Sequence, residues 1–173
     1  MQEIIGLYLN QILLSILVSL NLTVGEVLPS NSINIIEDGT VVKVVDGDTI
    51  EVYENKKIEK IRLIGVNTPE TVDPRKDVQC YGLEASMFLK KELEGKQVIL
   101  EADNSQQQKD TYGRLLRYVY FKGENINKKI ISEGYGFEYT YKTPYKFQKE
   151  FKEAEDLAKK DEKGLWNKAN CNY

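Results

Sequence analysis

Four charged side chains lie close together in the stretch VVDGDTIEVYENKKIEKIRLIGVNTPET, which covers residues 44–71. They are Asp46, Asp48, Arg62 and Glu70. The residues around them alternate in the manner of β-strands, where an unpaired charge is costly to bury. Carboxylates bind metal ions or accept protons, and arginine binds phosphate through a planar fork of N–H donors. The stretch therefore predicts a metal-assisted site that acts on a phosphodiester.

The overall composition limits which residues can accept a proton and how nucleic acid can be bound at such a site. The sequence contains no histidine, so a carboxylate is the natural proton acceptor. The net charge of the 173-residue chain is −3, and residues 1–36 contain no Lys or Arg and only two acidic residues, Glu3 and Glu26. Residues 37–173 thus carry 24 basic and 25 acidic side chains. No global positive field attracts a polyanion, so any nucleic-acid binding must come from a local cluster.

The elements that must position these residues follow from the hydrophobic pattern. Short apolar segments predict five strands, TVVKVV, TIEVYE, IEKIRLIGV, KQVILEA and LLRYVYF. Longer periodic segments predict three helices, at about residues 81–93, 125–134 and 145–163. Three meandering strands, a helix, two more strands and further helices are typical of an α+β fold built on a five-stranded Greek-key barrel of the OB type.

Several linked motifs carry a resemblance to a known family. VVDGDTIEV, IRLIGVNTPET, YGLEAS, DTYGRLLRYVY and GLW occur in the order and spacing of the staphylococcal nuclease family, over about residues 38–168. The resemblance implies a calcium-dependent phosphodiesterase that hydrolyses DNA and RNA, single-stranded or unpaired, and leaves 3′-phosphate products. It implies a monomer with no obligate protein partner.

The resemblance also implies roles for individual residues. Asp48 matches a calcium ligand, with capping of its own tight turn as the alternative. Glu70 matches the general base, with an exposed loop carboxylate as the alternative. Asp46 is interpreted as a structural residue or a support for the ligands.

Arginine and tyrosine side chains complete the implied site. Arg62 and Arg114 match two phosphate-binding arginines, although a surface salt bridge is the alternative for Arg114. Three tyrosines match residues that bind the nucleotide, with ordinary packing as the alternative: Tyr112, Tyr139 and Tyr141. Arg75 and Lys76 are weaker candidates for contact with phosphate.

One position departs from the family pattern. Where the best-known form has a second metal-binding aspartate, this sequence has Asn67, whose amide oxygen can bind calcium but brings no negative charge. The backbone carbonyl of Thr68 is a further ligand by resemblance. We expect either an enzyme with weakened calcium affinity or an impaired relic that still binds nucleic acid. The retention of Asp48, Glu70 and both arginines favours the enzyme.

Two other functions remain open from the sequence. The first is a non-catalytic OB module in which the arginines and tyrosines bind nucleic acid without cleaving it. The second is an extracellular interaction domain whose charges pair only with one another. The retained carboxylates argue against the first, and the number of tyrosines and arginines expected around one cleft argues against the second.

The N-terminal residues and the cysteines bear on the compartment. Residues 1–36 form an apolar segment and connector ahead of the nuclease-like domain at residues 37–173, and the run at 12–20 has the length of a signal-peptide core. We expect a secreted or membrane-anchored protein, although the segment lacks the usual basic residues. An apolar helix that packs elsewhere is the alternative. Cys80 and Cys171 then form either a disulfide or two unrelated thiols.

Overall fold

Alternating apolar residues build a closed barrel in the computed structural model of the chain, which describes residues 35–71 and 78–171. Its strands are β1 (Ile36–Asp46), β2 (Thr49–Glu54), β3 (Lys57–Leu63), β5 (Gln97–Glu101) and β6 (Leu115–Phe121). Antiparallel neighbours follow the order β3-β2-β1-β5-β6, and a parallel pairing of β3 with β6 closes the sheet. Shorter strands are β4 (Val66–Asn67), β7 (Glu124–Asn125) and β8 (Phe137–Glu138).

Three helices pack around this barrel. They are α1 (Gly82–Leu93), α2 (Ile126–Ser132) and α3 (Gln148–Lys160), and a short 3-10 turn follows at Gly164–Trp166. The apolar faces of the helices and the inward side chains of the strands form one continuous core, with Leu89, Ile130 and Phe151 fully buried. The predicted α+β fold, a five-stranded OB-type barrel with three helices, is confirmed.

The third predicted strand is too long. It was expected to continue through Gly65, but β3 ends at Leu63 and a turn precedes β4. Gly65 has a φ of +75°, and a Cβ atom there would lie 2.5 Å from the ring of Tyr145. A glycine is therefore needed at this bend, and the bend starts the separate strand that carries Asn67.

Two other predicted boundaries are wrong. Strand β1 begins at Ile36 and not at residue 40, because residues 36–40 already pair with β5. Helix α3 begins at Gln148 and not near residue 145. Tyr145 is instead buried in the preceding turn, where its hydroxyl donates to a carboxylate oxygen of Glu138 at 3.1 Å.

A buried asparagine connects α2 to the turn that precedes β4. The Asn127 amide donates to the carbonyl oxygens of Ile64 at 2.9 Å and Arg117 at 3.2 Å, and its oxygen accepts from the amide of Val119 at 2.9 Å. These bonds satisfy a fully buried polar side chain and fix the direction in which the chain enters β4.

The sequence left the state of the two cysteines open, and the structure joins Cys80 to Cys171 in a disulfide with a Cα–Cα distance of 5.9 Å. The N-terminal apolar segment, Arg75 and Lys76 lie outside the described residues. Within residues 35–71 and 78–171, no helix is long and apolar enough to cross a membrane.

Candidate active site

Asp48 lies in the tight turn between β1 and β2. The turn packs directly against Thr68, because a Cβ atom on Gly47 would lie 2.7 Å from the Thr68 hydroxyl oxygen. The carboxylate of Asp48 is buried and accepts hydrogen bonds from the Thr49 hydroxyl at 2.9 Å and the Thr68 amide at 3.3 Å. This arrangement holds the Asp48 carboxylate next to the segment that carries Asn67 and Glu70.

Arg62 extends from β3 to the same carboxylate. Its Nη2 atom lies 2.9 Å from Oδ2 of Asp48 and 3.1 Å from Oδ1 of Asn67. Its Nη1 atom donates to the carbonyl oxygens of Leu63 and Val66 at 2.7 and 2.6 Å. Burial lowers the pKa of Arg62 and the charge of Asp48 opposes this effect. The guanidinium is held as an ion pair with Asp48, and arginine is effectively always protonated in proteins. The pairing with a carboxylate that a strand arginine requires is thus present.

Arg114 is connected to Asp48 through the hydroxyl of Thr49. Its Nε atom donates to Asp110 at 2.7 Å, and its Nη1 atom donates to the Thr49 hydroxyl at 3.3 Å. The Thr49 hydroxyl in turn contacts Asp48, so the two arginines flank one carboxylate. The pKa of Arg62 is lowered first by burial and further by the positive charge of Arg114. Two cations this close favour an anion between them.

Glu70 lies close enough to Asp46 for its charge to act on that carboxyl group. Burial raises the pKa of Asp46 and the charges of Asp48 and Glu70 add to this effect, against hydrogen bonds from Thr71 and Gly47. Asp46 accepts from the Thr71 hydroxyl at 2.7 Å, and the Thr71 amide donates to the Glu70 carboxylate at 3.0 Å. Asp46 therefore supports the turn that carries Glu70, in agreement with its interpretation as a supporting residue.

The predicted tyrosines also come to this region. The Tyr139 amide donates to the carbonyl of Gly65 at 3.1 Å, just after β8 pairs with β4. The rings of Tyr139 and Tyr141 are 6.4 Å apart between centroids and both are exposed. Tyr112 is 83% exposed, and the guanidinium of Arg114 lies over its ring at 5.3 Å. Exposed phenol rings suit the stacking of bases without sequence preference.

The side chains that could bind a metal ion at this site include a carboxylate and an amide. Among the described residues there is no group of three or more His, Cys, Asp or Glu side chains that could hold a metal ion. Two of the three predicted oxygen donors, Asp48 and Asn67, contact the same Arg62 nitrogen. The buried Thr68 hydroxyl oxygen has no hydrogen-bond partner in the described part of the chain. Carboxylate and amide oxygens are donors that suit a hard cation such as Ca²⁺.

Two residues that hold the arginines, Asp110 and Thr49, were not among the predicted site residues. Asp110 accepts from the backbone amides of Tyr112 and Arg114 as well as from the Arg114 side chain. Thr49 bridges Arg114 to Asp48. The sequence contained a signal for each residue. Asp110 lies four residues before Arg114, with the turn glycine Gly113 between them, and Thr49 directly follows the predicted metal ligand Asp48.

The sequence of the chain is similar to those of known nucleases. The sequence profile of the staphylococcal nuclease homologue family matches residues 60–168. The chain is 44% identical to a thermonuclease of Staphylococcus hyicus over 127 residues, which are 73% of this chain and 74% of that protein. It is 40% identical to a thermonuclease of Staphylococcus intermedius over 76% of this chain and 77% of that protein. A prophage-derived endonuclease of Bacillus subtilis, YokF, is 36% identical over 76% of this chain and 44% of its own length.

Proposed function

The chain belongs to the staphylococcal nuclease family, and from this premise we propose that it is a calcium-dependent nuclease. Its substrates are single-stranded or unpaired DNA and RNA, and its products carry 3′-phosphates. One observation supports the proposal above the others: Arg62 and Arg114 flank Asp48, the first through a direct ion pair and the second through Thr49. Cations held in this way beside a carboxylate suit a phosphodiester.

Each side chain has a role in the proposed reaction. Arg62 and Arg114 bind the non-bridging phosphate oxygens and stabilise the charge that grows on them in the transition state. The Glu70 carboxylate accepts a proton from the attacking water, and the 5′-oxygen leaves. Asp48, Asn67 and the Thr68 carbonyl hold the cation. Calcium, when bound, supplies positive charge that stabilises the same phosphate oxygens.

The tyrosines support a broad substrate range. Tyr112, Tyr139 and Tyr141 are exposed, and a phenol ring can stack on any base. Stacking requires a base that is free of its partner strand, which favours single-stranded or unpaired substrates. We further propose that the protein acts as a monomer, as the family membership implies.

We also propose that the protein acts outside the cytoplasm, either secreted or anchored to a membrane. The apolar run at residues 12–20 supports this proposal. The disulfide between Cys80 and Cys171 fits an oxidising compartment.

The second candidate is a non-catalytic nucleic-acid-binding module, and Asn67 is the observation that favours it. An amide in place of a carboxylate removes one formal charge from the metal ligands, and calcium affinity depends strongly on that charge. The two candidates differ only in whether bound substrate is cut.

A calcium titration of cleavage distinguishes them. The full chain is incubated with denatured DNA, with duplex DNA and with RNA, over calcium concentrations up to about the millimolar range where weak sites fill. We expect calcium-dependent cleavage that a chelator abolishes, with faster cutting of denatured DNA and products that carry 3′-phosphates. Binding without cleavage at the highest calcium concentration would establish the non-catalytic module instead.

A further inference from the structure

The turn that carries Glu70 is hydrogen-bonded to Gln79. The Glu70 amide donates to the side-chain oxygen of Gln79 at 2.8 Å, and the Gln79 amide donates to the backbone carbonyl of Glu70 at 2.9 Å. The Gly82 amide then donates to the Gln79 carbonyl at 3.0 Å, just where α1 begins. The backbone of Glu70 is therefore tied to the first turn of a helix that packs on the barrel.

The contact between this helix and the turn is unusually close. A Cβ atom on Gly82 would lie 2.6 Å from a methyl carbon of Thr71, 2.9 Å from the carbonyl oxygen of Pro69 and 3.3 Å from that of Glu70. Only a glycine allows backbone to approach backbone at this distance. The position of the helix start thus fixes the position of Glu70 to within a small displacement.

A disulfide fixes the helix start in turn. Cys80 follows Gln79 directly and is bonded to Cys171, which is 5% exposed. The Cys171 amide donates to the carbonyl of Asn167 at 3.1 Å. The segment before it is docked on the domain, because Leu165 is buried and its amide donates to the carbonyl of Gly134 at 2.8 Å.

We propose that the Cys80–Cys171 disulfide and Gln79 position Glu70 for catalysis. The inference rests on the proposed function, since it takes Glu70 as the base. The disulfide holds residues 79–82, and these hold the backbone of Glu70 through paired hydrogen bonds. A displacement of about 1 Å at a catalytic group can cost about a hundredfold in rate, so a group on a turn benefits from such support.

The first test compares the full-length wild type with the full-length C80S/C171S variant, below the unfolding transition of both. We expect kcat to fall roughly tenfold and KM to stay within about twofold, because the arginines and tyrosines that bind substrate are untouched. The matched control is Val98→Ala, which destabilises the buried core of β5 away from this contact. Its kcat should equal that of the wild type. A wild-type kcat in C80S/C171S would overturn the proposal.

A second variant covers the case in which C80S/C171S fails to fold. Gln79→Ala removes the side-chain acceptor of the Glu70 amide and keeps the disulfide. We expect the same pattern, a reduced kcat with a KM close to that of the wild type. An unchanged kcat in Gln79→Ala would contradict the role of this contact.

Hydrogen exchange of backbone amides gives a readout that does not depend on activity. In C80S/C171S, exchange at Glu70 and Gln79 should become roughly tenfold faster because the turn opens locally. In Val98→Ala, only core amides such as that of Val119 should exchange faster. Unchanged exchange at Glu70 and Gln79 in C80S/C171S would refute the positioning role. If the wild type cleaves nothing, the proposed nuclease function fails and exchange alone decides the role of the disulfide.

Discussion

The substitution Asn67→Asp restores a carboxylate at a predicted calcium ligand. Asn67 Oδ1 lies 3.1 Å from Nη2 of Arg62, and Oδ2 of Asp48 lies 2.9 Å from the same atom. A carboxylate at position 67 would therefore point at the region where Asp48 already presents its negative charge. We expect tighter calcium binding, because ligand charge largely sets the affinity of such sites.

The magnitude follows from the charges involved. Two opposite unit charges about 4 Å apart gain about 4 kcal/mol at an effective dielectric constant of about 20. Arg62 would pair with the new carboxylate in the metal-free protein and offset a large part of this gain. We expect a net gain of about 1.4 to 2.8 kcal/mol, which is roughly a ten- to hundredfold decrease in the Kd for calcium.

The assay is a calorimetric titration of calcium into the full-length wild type and variant, together with the calcium midpoint of cleavage. Asn55→Asp is the matched control, because it makes the same charge change at an exposed turn. That turn is about 20 Å from Asp48 along extended strand, well beyond the screening length of about 8 Å at physiological salt. An Asn67→Asp midpoint within about twofold of the wild type would show that Asn67 is not a ligand.

Two further changes test other contacts in the domain. Asp110→Asn removes the negative charge that pairs with Arg114. We therefore expect kcat/KM for denatured DNA to fall about tenfold, with an unchanged calcium midpoint of cleavage. A kcat/KM equal to that of the wild type would contradict this role of Asp110. In the folded protein, burial alone would raise the pKa of Asp103, but hydrogen bonds from the Tyr118 hydroxyl and from two backbone amides outweigh it and lower the pKa. Ionised Asp103 thus contributes stability above its unfolded pKa of about 4, and this contribution is lost as the pH falls through the lowered folded pKa. The measurement is denaturant unfolding of the wild type and Asp103→Asn at several pH values. We expect the variant to be less stable by about 1–3 kcal/mol at pH 7, and this difference to shrink below about pH 4. A difference in stability that does not change with pH would contradict the predicted direction of the pKa shift.

The barrel was predictable from the sequence because its strands alternate and its turns are short. TIEVYE places Ile50 and Val52 in the core and leaves Tyr53 exposed, as the alternation predicts. The end of β3 was not predictable, since a glycine in an apolar run is compatible with both a bulge and a turn. In the folded chain the ring of Tyr145 packs closely against Gly65 and favours the turn. Because this contact joins residues that are distant in sequence, the local pattern could not reveal it.

The candidate site was predictable in its residue types and less so in its connections. Arg62 on a strand required a carboxylate partner, and Asp48 is that partner. The links through Thr49, Asp110 and Gln79 were not predicted. Polar side chains in loops suit solvent as well as a specific partner, so only the folded chain identifies which contacts they make.

The central claim is that Glu70 acts as a base on a bound phosphodiester. The most direct test is a single-turnover measurement with Glu70→Gln, run with saturating calcium and beside a binding measurement on the same substrate. An amide cannot accept the proton from water, so we expect the cleavage rate to fall about a hundredfold or more while the Kd for the substrate changes by less than about threefold. Equal losses in rate and binding, or a rate close to that of the wild type, would contradict the account.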